Sequence, residues 1–475
     1  MGDRREPPEE TRDHAVVLGA GLAGLLAAAV LRRRFARVTV VDRDRLPREG
    51  PAYRPGVPQS RHLHTFWSTG MDAIAELLPG VMDDWLRAGG RVLEVPREVL
   101  WLGPADWFGP MPGVPALFAH REAIEWGIRH QVLRQEGITL LERHEVTGLL
   151  PAADGSVEGV RLRPRPAPDA PDARARTELR AGLVVDATGR TSKAPSWLTA
   201  LGRPAPAVSR CDAHFAYASR IFRPAPEHHD AAPLYVQGRP GDSRAGACLP
   251  VGPDRWVVTL LGVGPEAPPV HDDGFLDHAR RLRSPLLFER LRHAEFLTPT
   301  AGFRDTANTR VHYERMTDWP AGFLVVGDAA CSLNPVYGHG ITVAALGVRA
   351  LADALTVRTA TRLRAEAHTV QRAIARTART AWAIATGEDM RHPGAEGPRP
   401  NRSGRLLQGY MRRLTAAAAD DPRISRPLFQ VMSLSAPPAV LLRPTTVLRV
   451  LSHSHAATSP PSTARLAPHR HADTS

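Results

Sequence analysis

Two short, largely apolar runs, Ala15–Leu18 and Val38–Val41, flank a glycine-rich turn and an alanine- and leucine-rich segment ending at Arg32-Arg33-Arg34. Strands that are apolar on both faces belong inside a parallel sheet covered by helices, so the pattern predicts a strand, turn, helix, strand unit. Charge and two prolines give residues 1–13 nothing to bury, which predicts a disordered N-terminus. Proline, glycine and charge predict a loop over 47–58, and residues 60–135 read as a helical insertion carrying five of the nine tryptophans. Alternation returns at 157–162, the arginine- and proline-rich stretch 163–177 reads as a loop, and Leu183–Asp186 and Phe323–Val326 read as further buried strands. Pieces rich in β-formers, His214–Ile221 and Trp256–Leu261, predict an antiparallel sheet across 206–304. An alanine-rich helix is expected around 341–355, proline-broken helices over 357–451, and a disordered Ser/Pro/His-rich tail over 452–475.

At 475 residues the chain fits one large domain or two interlocked ones. The apolar run from Ala15 to Leu31 is short for a membrane span, is broken by glycines and lacks a cleavage site after it. The expectation is a soluble protein whose membrane contact is at most peripheral. Three scattered cysteines without a CxxC pair offer neither a disulfide framework nor a zinc ribbon and suit a reducing cytoplasm. The balance of 61 Lys+Arg against 49 Asp+Glu gives a net charge of +12 and raises nucleic-acid binding as a question. All of these cations but Lys193 are arginine, they are dispersed, and no basic run interleaves with aromatics, so no nucleic-acid partner is expected.

Three glycine motifs carry the chemistry. Gly19, Gly21 and Gly24 form a GxGxxG turn between the first strand and helix, where they allow a tight turn, backbone approach to a pyrophosphate and close helix packing. Asp42, at the end of the second strand, has the spacing of a carboxylate that accepts hydrogen bonds from an adenosine ribose. Asp186-Ala-Thr-Gly189-Arg190 follows a third buried strand, and Gly327-Asp328 follows a fourth. The latter runs on through Asn334-Pro-Val-Tyr-Gly338-His-Gly340, where a carboxylate can hold a ribityl hydroxyl and backbone N–H groups of Gly338 and Gly340 can meet an isoalloxazine edge at a helix start. These later motifs favour FAD over NAD as the bound dinucleotide.

From His14 to Leu451 the motifs, in this order, resemble the para-hydroxybenzoate-hydroxylase-like FAD-dependent monooxygenases. Arg54-Pro-Gly-Val-Pro-Gln59-Ser-Arg61-His62-Leu-His64, Trp197-Leu198 and the Asn334–Thr342 segment narrow the resemblance to bacterial flavin epoxidases of polyether and terpenoid antibiotic pathways. The resemblance implies an α/β fold: a Rossmann-type FAD-binding domain with a parallel sheet, built from 14–205 and 305–356. An antiparallel-sheet substrate domain at 206–304 interleaves with it, and C-terminal helices follow. It adds Arg43, Arg61 and Arg121 as candidates for pyrophosphate and ribityl contacts, a role that suits a guanidinium fork. His62, His64 and Gln59 are expected to line the cofactor cleft, without a metal because no third ligand is visible. Thr188 stands where many hydroxylases carry an acid, which leaves two electron routes open: NAD(P)H directly, or through a separate flavin reductase.

The activity so implied is oxygen transfer from O2 to a small lipophilic substrate through a C4a-hydroperoxide of reduced FAD, chemistry that needs a dry apolar pocket rather than many acids and bases. Phe215, Tyr217, Phe222, Tyr235, Trp256 and Phe303 supply aromatics for such a pocket. Without a visible Tyr/His relay, epoxidation of an alkene in a secondary metabolite is favoured over aromatic hydroxylation, which profits from a base. A halogenase would need a pocket lysine and a Trp-x-Trp-x-Ile-Pro segment, and the chain offers only Lys193. The reading from outside enzymology is a non-catalytic flavin-binding protein.

Overall fold

The computed structural model describes residues 9–165, 176–239, 241–252 and 254–453. A five-stranded parallel sheet lies at its centre, in the order Phe323–Val325, Leu183–Asp186, His14–Leu18, Arg37–Val41, Ile138–Leu141. Both faces are covered. The helices Leu22–Leu31 and Gly340–Thr356 pack together over one face with Val17, Val185 and Leu324, while Val16, Val184 and Val325 meet Trp197 and Tyr313 on the other. Burial on two sides explains why these strands read as largely apolar runs without alternation.

A second, mixed sheet of seven strands forms around Phe215–Arg223, Trp256–Val263 and Ala245–Pro250, which pair antiparallel as expected. Its far edge is Leu100–Leu102, which pairs parallel with Leu234–Val236. That edge strand comes from the region 60–135, which the sequence predicts as helical and which is in fact mixed. Thr65–Trp67, Arg91–Val95 and Val114–Phe118 form a separate small sheet between the helices Ser68–Leu77, Val81–Arg87 and Arg121–Val132. Strands of three to five residues are too short to show a period, whereas the tryptophans beside them fit either element.

Helices fill the region after 357, as its proline-punctuated pattern predicts. Of the expected disordered N-terminus, residues 9–12 form a helical turn, Glu9–Arg12, and residues 1–8 lie outside the described residues. The last helix, Pro444–Ser452, includes the first residue of the expected tail, and 454–475 lie outside the described residues, as does 166–175 of the expected loop. No helix among the described residues is long and apolar enough to cross a membrane.

Candidate functional site

All five parallel strands end on the same side, and the turns that follow four of them wall a cleft of about 380 Å³. Gly19 adopts φ +93°, a left-handed conformation open to glycine, and a Cβ there would lie 2.6 Å from the Ala187 carbonyl oxygen. A Cβ on Gly24 would stand 1.9 Å from the Gly19 oxygen, so Gly24 seats the helix Leu22–Leu31 on its own turn and does not face the cleft. Gly21 does face it. It caps that helix with no side chain, leaving the terminal N–H groups free to meet an anion, and the nearest atom to its missing Cβ is Arg54 Nη2 at 3.8 Å.

Asp42 accepts hydrogen bonds from Ala20 N at 2.6 Å and Asp44 N at 2.8 Å, which fixes its carboxylate at the end of the second strand. Arg54, quoted in the motif but not singled out by sequence, is the hub of this end. It reaches Glu125 Oε1 at 2.7 Å, Asp42 Oδ2 at 3.4 Å and the Ala20 oxygen at 3.2 Å, and is nearly fully buried. Burial opposes its charge, yet Glu125, Asp42 and Asp44 together hold its pKa above the ordinary arginine value. Arg43 is exposed but lines the same end of the cleft.

Arg121 opens the helix Arg121–Val132 and also lines the cleft. It is buried, its Nε has no partner, and burial pulls its pKa down against the pull of Glu125 and Asp328. Asp328 follows the strand Phe323–Val325 after Gly327, whose φ is +63° and whose absent side chain lets the turn pack on Ala23. Burial raises the Asp328 pKa, while Arg190 and Arg121 oppose the rise. Gly338 has φ +66° and a Cβ there would stand 3.0 Å from the Thr65 oxygen; Gly340 begins the long helix, 4.0 Å at its Cβ position from Asp328 Oδ1. Gly189, at φ +81° with open space before it, completes the wall.

Besides Gly24, three expected residues, Asp186, Arg61 and His62, lie off the cleft. Asp186 is wholly buried and spends its carboxylate on Thr188 N at 2.9 Å, Thr188 Oγ1 at 2.6 Å and Ser192 Oγ at 2.5 Å, so it shapes its own turn and does not line the cleft. Arg61 is exposed and stacks over the Tyr53 ring at 3.9 Å, outside the cleft lining. His64 and Gln59 line the cleft, whereas His62 turns away to Ser219 Oγ at 2.8 Å. Lys193 sits on the cleft rim, paired with Glu145 at 3.0 Å.

An adjoining cavity of about 270 Å³ shares Thr65, Pro335 and Gly338 with the cleft. Its aromatic and apolar walls include Trp67, Trp101 and Phe108; Phe215, Tyr217 and Tyr235; and Met411, Phe429 and Leu441 from the C-terminal helices. Trp101 stacks on Tyr235 with ring centroids 4.6 Å apart. Of the other aromatics named from sequence, Phe303 lines the cofactor cleft, and Phe222 and Trp256 pack in a separate core. The C-terminal helices thus cap the cavity. His339, on its wall, bonds through Nε2 to the Met432 oxygen at 2.8 Å, and burial pulls its pKa down to about 4, so it is neutral at pH 7.

Tyr337, also on the wall, donates its hydroxyl to Asp389 Oδ1 at 2.5 Å, and Asp389 further accepts from Asn308 Nδ2 at 2.6 Å and Asn334 Nδ2 at 3.3 Å. Tyr217 joins through Asn334 Oδ1 at 2.5 Å. Burial pushes the Asp389 carboxyl up to about 6, although these hydrogen bonds pull it down. Sequence spacing shows no such relay, because Tyr337 and Asp389 lie on separate elements 52 residues apart.

The cleft suits a flavin dinucleotide on its own geometry. Glycines clear one wall, two helix starts and the unpartnered Arg121 nitrogen face the centre, and carboxylates stand at both ends. Residues 17–78 match a family described as an NAD(P)-binding Rossmann-like domain. Protein Rv3254 of Mycobacterium tuberculosis is 32% identical over 437 residues, covering 89% of this chain and 90% of the relative. Among solved structures, PqsL, a probable FAD-dependent monooxygenase from Pseudomonas aeruginosa, superposes with a TM-score of 0.58 at 18% identity, over 87% of this chain and 98% of PqsL. The myxobacterial chondrochloren halogenase CndH gives a TM-score of 0.56 at 17% identity, over 90% and 97% of the two chains.

Proposed function

Because the chain belongs to the family of the mycobacterial Protein Rv3254 and has the fold of FAD-dependent monooxygenases and halogenases, we propose that it is a monooxygenase that epoxidises an alkene of a lipophilic secondary metabolite. One observation carries this reading: the dinucleotide cleft and the aromatic cavity meet at Gly338, so a ring seated on that turn is presented to both. Bound and reduced, FAD supplies the activation of dioxygen.

The chain's own residues hold and shield. Gly21 and the helix it caps receive the pyrophosphate, with Arg54 and Arg121 as cations and Asp42 at the ribose. Asp328 holds a ribityl hydroxyl, and the N–H groups at Gly338 and Gly340 steady negative charge on the ring. Trp67, Trp101, Phe108 and Phe429 exclude water from the side where the alkene lies. Electrons arrive from NAD(P)H, directly or through a separate flavin reductase, and the place of work is the cytoplasm.

Aromatic hydroxylation is the second reading, favoured by the Tyr337–Asp389 pair, which can take a proton from a phenolic substrate. Lys193 points away from the halogenase alternative, since it stands on the rim of the cofactor cleft and does not line the aromatic cavity. Turnover under isotopically labelled dioxygen tests the proposal. One labelled oxygen atom in an epoxide product supports it, and label in a phenol moves the assignment to hydroxylation. A yellow protein that oxidises neither substrate overturns both.

A further inference from the structure

The C-terminal helices turn one side to the aromatic cavity and the other to solvent, and the solvent side is unusual. Among the described residues six leucines are exposed, and five belong here: Leu406 at 78%, Leu407 at 47%, Leu442 at 52%, Leu448 at 69% and Leu451 at 56%. Leu448 and Leu451 are three apart on the helix Pro444–Ser452 and share a face opposite the buried Val450. Leu406 and Leu407 lie on the helix Arg402–Ala417, which packs against that last helix and is tied to Leu441 by a 2.6 Å hydrogen bond from Tyr410 Oη. Singly exposed leucines need no explanation, but this concentration does.

The charge of the same segment is one-sided. From Arg402 to Arg449 there are eight arginines and only two acids, Asp420 and Asp421. Of those acids, Asp421 is already matched by Arg449 at 3.7 Å. Arg402, Arg405, Arg412, Arg413, Arg426 and Arg443 are exposed and have no ion pair among the described residues. Exposed leucines beside unpaired arginines match an interface that is apolar inside and negative at its surface. The helix Arg402–Ala417 also connects the two sides. Leu407, Met411 and Leu414 follow one another at helical spacing and pass from exposed, through the cavity wall at Met411, to fully buried.

We propose that this face docks on an anionic lipid surface, with the exposed leucines in the headgroup region and the arginines on lipid phosphates. The contact stands apart from the oxygen-transfer reading. Its use as the route by which a lipophilic substrate reaches the cavity, past Leu407 and Met411, rests on that reading.

Flotation of the full chain with phosphatidylglycerol/phosphatidylcholine vesicles, and with phosphatidylcholine alone, tests the contact whatever the activity proves to be. The wild type is expected to float with the anionic vesicles and to be released by salt. The double variant Leu406→Asp, Leu448→Asp is expected to weaken binding about tenfold while its circular dichroism is unchanged. Leu86→Asp, an exposed leucine elsewhere, is expected to bind like wild type. Equal flotation of wild type and double variant overturns the proposal, since attraction would then come from net charge alone. Loss of a dimer in the double variant, without vesicle binding by the wild type, assigns the face to a second copy of the chain and also overturns it.

Discussion

The hydroxyl of Tyr337 lies 2.5 Å from the carboxylate of Asp389, one residue before the glycine turn shared by the cofactor cleft and the aromatic cavity. A buried acid with a pKa near 6 is thus joined to the cavity wall by a single phenol. With a phenolic substrate, Tyr337→Phe is expected to lower turnover by about 10²–10⁴ and to remove a step near pH 6 from the rate profile. With an alkene the same variant should be nearly silent, so measuring both substrates across pH 5–8 separates the two readings.

The same carboxyl makes stability depend on pH. Its pKa is about 6 in the folded chain, against about 3.9 when unfolded. The folded state therefore binds more protons in that window, and stability falls as pH rises through it. The loss at and above pH 6 is about 3 kcal/mol. Urea midpoints of wild type and Asp389→Asn, compared from pH 4 to 7, are expected to diverge with that sign.

Arg54 stands between Asp42 and Glu125, both nearly as buried as itself. Arg54→Met leaves two carboxylates without their counterion and is expected to cost about 3–5 kcal/mol, recovered in part on acidification. It should also weaken flavin binding, read as quenching of free FAD fluorescence on titration. Arg61→Ala, removing an exposed guanidinium stacked on Tyr53, is expected to change neither quantity by more than about 0.5 kcal/mol.

Gly21 and Gly24 belong to one motif but predict different failures. Gly21→Trp projects into the cleft and is expected to give folded, colourless protein. Gly24→Ala drives a methyl into the Gly19 carbonyl, 1.9 Å away, and is expected to lower the melting temperature whether or not FAD is present. Asp328→Ala should be folded and colourless like the first; retained stoichiometric FAD would remove Asp328 from the site.

What the sequence made legible is what the chain builds locally. His14 to Asp42 forms one strand, turn, helix, strand unit, so spacing alone places Gly21 and Asp42 at the same end of it. Asp186 shows the limit of such patterns, because an acid at a strand end reads the same whether it faces the cleft or, as here, bonds Thr188 and Ser192. Of the aromatic cavity only Phe215, Tyr217 and Tyr235 were legible as pocket aromatics, and its assembly was not. Trp101, Tyr235 and Phe429 meet only after three separate parts of the chain have packed. The relay was missed for the same reason, as Tyr337 precedes a glycine turn and Asp389 ends the helix Arg379–Asp389.

The central sheet also bears on when the site comes into being. Leu18 pairs with Asp186, and Asp186 in turn with Val325, so the sheet is complete on that side only once the chain has been made past Val325, well beyond its midpoint. A nascent chain on the ribosome has the first glycine turn early but neither Gly189 nor Asp328 opposite it. Flavin capture is therefore a late event in biogenesis, and an amino-terminal fragment released before Val325 has no complete dinucleotide cradle to offer.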